Sequence, residues 1–401
     1  MGVYSEYLDT LASNPDAVAA ERKKQLKRIA DIRGHDVLAF AADLSKQIPG
    51  NPAAITYMDI LPITDQLSNL HGKHLDLILE TPGGVGEVTE EIVRIVRSKY
   101  ESLSVIVPGW AKSAGTILAM AADEILMGPT SALGPIDAQL VWQGKQFSAD
   151  ALLEGVKKIK KEVQDTGVLN KAYVPILQNI SPGELEDAQN ARDFATDLVT
   201  DWLAQYKFKL WTTHSSNGQP VTAEERKQRA KEIADQLCDH ARWRTHGRSI
   251  KLDDLKAMRL HIMDYREQVE LADAITRNYA LLQITFSTNV FKIYETPGSQ
   301  IVKFLPILPN MLPMGGSPFP VLPPGASGQI QPSGEAKFNF QCGKRKTITP
   351  MQANFGQPQP IEASRVPFPK DNKFQCPGCG IVHDLSTVRK QLEAQAQLPV
   401  V

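Results

Sequence analysis

Cysteine is scarce in this chain. There are four in 401 residues, at positions 238, 342, 376 and 379, which rules out a disulfide framework as the main support of the fold. A surplus of one charge is also missing: 44 basic and 45 acidic residues leave a formal net charge of −1, so no long-range field draws the chain to nucleic acid or anionic lipid. No window of about 18 residues is continuously apolar, which excludes an ordinary membrane-spanning helix. The most apolar stretch, Ile117 to Met127, is broken by Asp123 and Glu124. The start of the sequence lacks the basic and apolar regions of a secretory signal, and Glu6 stands where a myristoylation motif wants Ser or Thr. No Walker-type phosphate loop is present, so any ATP-driven unfolding of a substrate would come from another chain. These absences lead us to expect a cytoplasmic protein.

What is present is the composition of a globular protein, 42% hydrophobic and 22% charged. The length exceeds one ordinary core. Residues 17–47 read as a helix interrupted at Gly34, and 53–60 have strand character. From residue 64 to 128 short helices alternate with strands: LDLILE, the SLSVIVP run and DEILMG are strand-like, while EVTEEIVRIVRSKY and SAGTILAMAA are helical. Such alternation implies parallel strands with right-handed crossovers, an α/β layer structure. Residues 149–245 look mostly helical, 248–262 a strand-like pair with a short helix, and 284–295 strand-like. A Pro/Gly-rich stretch at 296–335 reads as a linker or arm. We therefore expect an N-terminal helical segment (1–50), an α/β body (51–295), the linker, and a small cysteine-bearing tail (336–401).

Two segments carry the chemistry, LDLILETPGGVGE at 75–87 and VPGWAKSAGTILAMAADEILMGPTSALGPID at 107–137. In the first, a buried strand runs into Pro-Gly-Gly, whose glycines let a carbonyl approach the backbone closely. The loop N–H groups are suited to stabilising an oxyanion. In the second, Ser113 opens an apolar helix among the small residues Ala111, Ala114 and Gly115, a setting for a tight strand-to-helix turn. The competing reading of Ser113 is an N-cap hydroxyl.

The combination TPGG, AKSAGT and ADEILMGPTSALGPID resembles the Clp-fold serine peptidases, and is most similar to the serine dehydrogenase proteinase (SDH) branch, related to signal peptide peptidase A and Clp protease. The resemblance implies a Clp/crotonase-type parallel β-sheet core with flanking helices and a peptide-bond hydrolase working through an acyl-enzyme on Ser113. Gly83, Gly84 and Ala114 would form the oxyanion hole. It also implies a homo-oligomer and a protein or peptide substrate. The place of the Clp histidine is held here by Asp137, and His246 falls near the place of the Clp aspartate. We therefore expect a permuted triad, with His246 as base and Asp137 orienting it. The alternative is a Ser/Lys dyad, for which Lys145 is the leading candidate, with Lys157 and Lys158 behind it; that lysine would have to be desolvated.

Near the end, Cys376-Pro-Gly-Cys379-Gly is a knuckle of the zinc-ribbon kind, and Cys342 in FQCGKRK echoes it. With His383 these supply four candidate ligands for a structural zinc; catalysis itself needs no cofactor. The tail could recruit a protein partner, whereas three basic residues at 344–346 are thin ground for nucleic acid. Two other functions are compatible with the sequence: a crotonase-like acyl-CoA enzyme, and a catalytically silent Clp-fold scaffold.

Overall fold

A computed structural model describes residues 2–46, 53–142, 145–214, 217–305, 335–342, 348–357, 359–396 and 398–401. The chain divides into two compact units, Met1–Pro306 and Ile307–Val401.

The first unit is built on a seven-stranded sheet. Its strands are β1 (Asp36–Ala42), β2 (His74–Glu80), β3 (Ser102–Val107), β4 (Glu124–Met127), β5 (Met263–Asp264), β6 (Val290–Glu295) and β7 (Gln300–Phe304). The spatial order is β7-β6-β1-β2-β3-β4-β5. Strands β1 to β5 run parallel to one another. The edge pair β6 and β7 is antiparallel. Helices Gly86–Lys99 and Ala114–Met120 make the crossovers from β2 to β3 and from β3 to β4.

Alternation along the strands sorts side chains onto two faces. Val37, Ala39, Ile78, Ile106 and Leu126 pack with Leu26 and Ile29 of helix Pro15–Arg33 and with Leu271, Ala274 and Ile275 of helix Val269–Phe286. Leu38, Phe40, Leu77, Leu79, Val105 and Met127 face the other way, onto helices Gly86–Lys99, Ala114–Met120, Pro182–Trp202 and Ala223–Cys238. Both faces of the sheet are covered, as parallel strands require.

Several expectations need correction. The N-terminal segment is not a separate helical piece. Its helix stops at Arg33, where Gly34 takes φ +68° and its N–H closes on the Ala30 carbonyl, a left-handed cap that only glycine adopts without strain. The chain then enters β1, a central strand. Residues 53–60 are not a strand either: the Thr56 and Asp59 side chains form a capping box, which starts a short turn and the helix Ile60–Ser68. Residues 284–286 end a helix, and β6 begins only at Val290. Of the expected strand-like pair at 248–262, only a bridge from Ile250 to Leu133 is present. The start of the expected linker is the edge strand β7, and 306–334 lie outside the described residues.

In the second unit, strand Glu335–Gln341 pairs with Ile348–Asn354, and Lys373–Gln375 pairs with Val382–Asp384. Helix Ser386–Ala396 follows. Met351, Phe355, Phe368, Phe374 and Leu385 form its core. Among the described residues, no helix is long and apolar enough to cross a membrane.

Candidate active site

The carboxyl end of β2 carries Thr81-Pro82-Gly83-Gly84, and the backbone there explains the glycines. Gly83 has φ +101°, and a Cβ on it would lie 2.7 Å from the Ser113 Cβ and 3.2 Å from the Ala114 nitrogen. Gly84 has φ +152°, and a Cβ there would strike the Ile55 backbone at 2.3 to 2.4 Å. The loop is thus pressed between Ile55 on one side and Ser113 on the other. It is held by Ile55 N–H to Gly83 O at 2.7 Å and Val85 N–H to Ile55 O at 3.0 Å.

Ser113 sits at φ 50°, ψ −117°, an uncommon conformation for a residue with a side chain. Strain of this kind persists only where the surroundings over-determine it, and here they do. Thr81 N–H donates to Trp110 O at 2.8 Å, Lys112 N–H to Thr81 O at 3.0 Å, and Gly115 N–H to Lys112 O at 2.8 Å. Thr116 Oγ1 lies 2.9 Å from the carbonyls of both Ala111 and Gly134. The Ser113 hydroxyl makes no capping bond to the helix Ala114–Met120, so the N-cap reading of this serine does not hold.

Backbone donors near Ser113 are unequal. The Gly83 N–H donates to Thr81 Oγ1 at 3.2 Å. Among the described residues, the N–H groups of Gly84 and Ala114 have no acceptor, and Ala114 opens a helix, where such donors are left over.

The Gly134-Pro135-Ile136-Asp137 run is drawn into the site by Ile136 N–H to Leu237 O at 3.1 Å, and Leu133 is paired with Ile250 at 3.0 Å. Asp137 is buried, 1% exposed. Its Oδ1 lies 2.7 Å from His246 Nδ1, and its Oδ2 lies 3.0 Å from His240 Nδ1 and 3.0 Å from Gln139 Nε2. Burial pushes the Asp137 carboxyl up, but hydrogen bonds from His246, His240 and Ser148 and the charge of His246 outweigh it, so its pKa is lowered. An ionised carboxylate can only accept, so both imidazoles donate from Nδ1; a neutral imidazole held this way presents Nε2 as its acceptor.

Ser113, His246, Gly83, Gly84 and Ala114 line one cleft of about 790 Å³, with an apolar wall from Ile117, Ile136, Ala191 and Phe194. Lys145 is exposed on the hairpin strand Lys145–Ser148 and is not among the cleft residues. Lys157 and Lys158 are exposed on helix Ala149–Thr166, with Lys157 paired to Glu154. The structure thus brings together Ser113, the glycine loop, Asp137 and His246, and leaves those lysines outside. In the tail, Cys342, Cys376 and Cys379 come together in a group that could hold a metal ion, and His383 is not part of it.

Three groups escaped the sequence reading. His240 shares the carboxylate with His246; the signal was a second histidine six positions upstream across a short helix, His240–Trp243. Lys112 adjoins Ser113, and burial with the charge of Lys251 lowers its pKa to about 8. Its Nζ is spent on Leu133 O, Arg248 O and Ser249 Oγ at 3.0, 3.2 and 3.0 Å, so it braces the turn rather than facing the cleft. Lys292 and Asp59, 2% and 1% exposed, form a buried pair at 2.8 Å, and Lys292 also donates to Ala54 O at 2.8 Å. That pair anchors the strand of chain against which Gly84 rests.

Residues 19–219 match the family described as ClpP-like SDH-type serine proteinase. The chain belongs to this family. The matched segment holds the glycine loop, Ser113 and Asp137 and stops before His240 and His246. The chain is also similar to two uncharacterized proteins of Methanocaldococcus jannaschii. It is 31% identical to MJ0137 over 39% of this chain and 52% of that one. It is 30% identical to MJ1495 over 34% of this chain and 41% of that one. The chain therefore spans about half the length of the curated relatives it matches. A mutant of the 1510-N membrane-bound stomatin-specific protease superposes with a TM-score of 0.22 and 22% identity, over 35% of this chain and 64% of that one.

Proposed function

We propose that this SDH-type family member is a serine endopeptidase with Ser113 as nucleophile, His246 as general base and Asp137 as the orienter of its imidazole. The observation that carries the reading is the 2.7 Å contact of a buried carboxylate with His246, a residue that shares its cleft with the strained Ser113. Asp137 holds the Nδ1–H tautomer, which leaves Nε2 to take the serine proton as Oγ attacks the substrate carbonyl. The oxyanion that forms is met by the free N–H groups of Gly84 and Ala114, beside Gly83. His246 then gives the proton to the leaving amine, and water attacks the acyl-enzyme by the same route in reverse. A protein or peptide substrate in extended form suits the open cleft. The proposal includes cytoplasmic location, self-assembly and partner recruitment through the tail.

An acyl-CoA enzyme of the crotonase type would use the glycine loop but has no need of a histidine–aspartate pair behind a serine. A silent scaffold would have no need of the strained turn. Fluorophosphonate labelling read by intact mass, together with casein cleavage, tests the proposal. Wild type and Lys145→Ala should label and cleave; Ser113→Ala and His246→Ala should do neither. Labelling abolished by Lys145→Ala but kept by His246→Ala would replace the triad with the dyad. No labelling of wild type would end the peptidase reading.

A further inference from the structure

The peptidase reading makes no use of the tail cysteines, and their arrangement is specific. Phe340 and Phe374 meet edge to face at 5.3 Å, and Cys342 and Cys376 each follow two residues later, just past the ends of strands Glu335–Gln341 and Lys373–Gln375. In extended chain that spacing puts each cysteine on the same face as its phenylalanine, so the aromatic contact brings the two thiols side by side. The third thiol is delivered by a preformed turn. Cys376 N–H donates to Ile381 O at 2.9 Å, Gly380 N–H donates to Cys376 O at 2.9 Å, and Gly380 takes φ +72°. The three sulfurs lie within 4.8 Å of one another, with Cys342 and Cys379 at 3.5 Å. Sulfurs bound to zinc at about 2.3 Å would stand roughly 3.8 Å apart along the edges of a tetrahedron.

The fourth expected ligand is placed elsewhere. His383 stands across the hairpin from Phe374, and its ring lies 5.1 Å from Phe340. Its Nε2 is buried without a partner, yet outside the thiol group.

We propose that Cys342, Cys376 and Cys379 bind a single zinc ion as thiolates, with water or a small exogenous thiol in the fourth position and His383 outside the coordination sphere. Sulfur-only donors select a soft ion over magnesium or calcium. A disulfide would use two of these cysteines and strand the third, whereas one ion engages all three. Binding releases the thiol protons and ties two hairpins together, so metal uptake and order in this unit are coupled. Cys238, buried in the other unit, takes no part.

The full chain, purified under reducing conditions and loaded with Zn²⁺, is tested by elemental analysis and by native intact mass. One zinc per chain is expected for wild type, Cys238→Ser and His383→Ala, and loss of zinc for Cys342→Ser, Cys376→Ser and Cys379→Ser. Loss of zinc in His383→Ala would overturn the three-thiolate set. No retained zinc in wild type, or a mass two hydrogens lighter under reducing purification, would overturn the site. Should the serine variants not fold, Co²⁺ titration of wild type decides: a thiolate-to-cobalt charge-transfer band scaled for three sulfurs supports the site, and its absence refutes it. None of these readouts depends on peptidase activity.

Discussion

Replacing Asp137 by Asn keeps the shape of the side chain and removes one acceptor. Asp137 serves two sides: Oδ1 receives His246, while Oδ2 receives both His240 and Gln139, and the carboxylate takes a further hydrogen bond from Ser148. An asparagine has one carbonyl oxygen, and the side with two donors will claim it. Its NH₂ group then faces His246, which can respond only by presenting a bare Nδ1 and carrying its proton on Nε2. That tautomer cannot accept the Ser113 proton. The loss should approach the roughly 10⁴-fold known when a triad aspartate becomes asparagine in chymotrypsin-type enzymes, about 5.5 kcal/mol of transition-state stabilisation. The assay is the rate of Ser113 acylation by a fluorophosphonate, followed by mass, with a thermal melt to confirm folding. A folded Asp137→Asn protein that acylates within tenfold of wild type would refute the tautomer argument and with it the role of His246. The depressed Asp137 carboxyl also gives a sign for pH. Its stabilising contribution is complete above the ordinary carboxylate range, near 3.9, and is lost as pH falls through the lower folded value, so the Asn variant should show a weaker loss of stability on acidification.

His240→Ala should slow acylation about tenfold, the worth of one hydrogen bond to a charged group, and His240→Asn should restore it by placing an amide N–H near the lost Nδ1; equal rates for both variants would count against the positioning role. Lys292→Met leaves the buried Asp59 carboxylate without its counter-charge, holding only the Thr56 N–H and the Tyr294 hydroxyl, so urea unfolding should show a loss of roughly 3–5 kcal/mol; a loss under 1 kcal/mol would show that those two donors or water suffice for the charge. Gly84→Ala forces a Cβ into the Ile55 backbone and should cut acylation by about 10²-fold or more, as the loss of an oxyanion donor does. An unchanged rate would remove the Gly84 N–H from the mechanism.

The legible parts of the fold were those fixed by near neighbours. Strands β2 to β4 and their crossover helices announce themselves because each apolar run is bounded by turn residues within a few positions. Strand β1 was hidden because DVLAFAA follows a helix with no proline or polar loop between, and only the left-handed cap at Gly34 separates them. Strand β6 was read within 284–295, but its place in the sheet was not: its partner β1 lies more than 200 positions away, with Phe40 opposite Tyr294, and no local pattern encodes that pairing, while β7, which pairs with β6, fell in the stretch read as linker. In the site, Ser113 and the glycine loop were readable from motif chemistry, whereas His240 was not, because its role exists only once Asp137 is buried beside it. The strand expected at 53–60 failed because Thr56 and Asp59 satisfy each other locally, and local hydrogen bonds of this kind divert backbone from a sheet.

Asp137 and His246 are 109 positions apart in sequence, with a run of helices between them. On the proposed reading, a chain emerging from the ribosome carries its attacking serine long before the group that could deprotonate it has been made. The same holds for any fragment cut within that helical stretch. Such partial products would be inert, and competence would arrive late, when the far end of the unit folds back. Nascent copies and their neighbours would be spared in the interval.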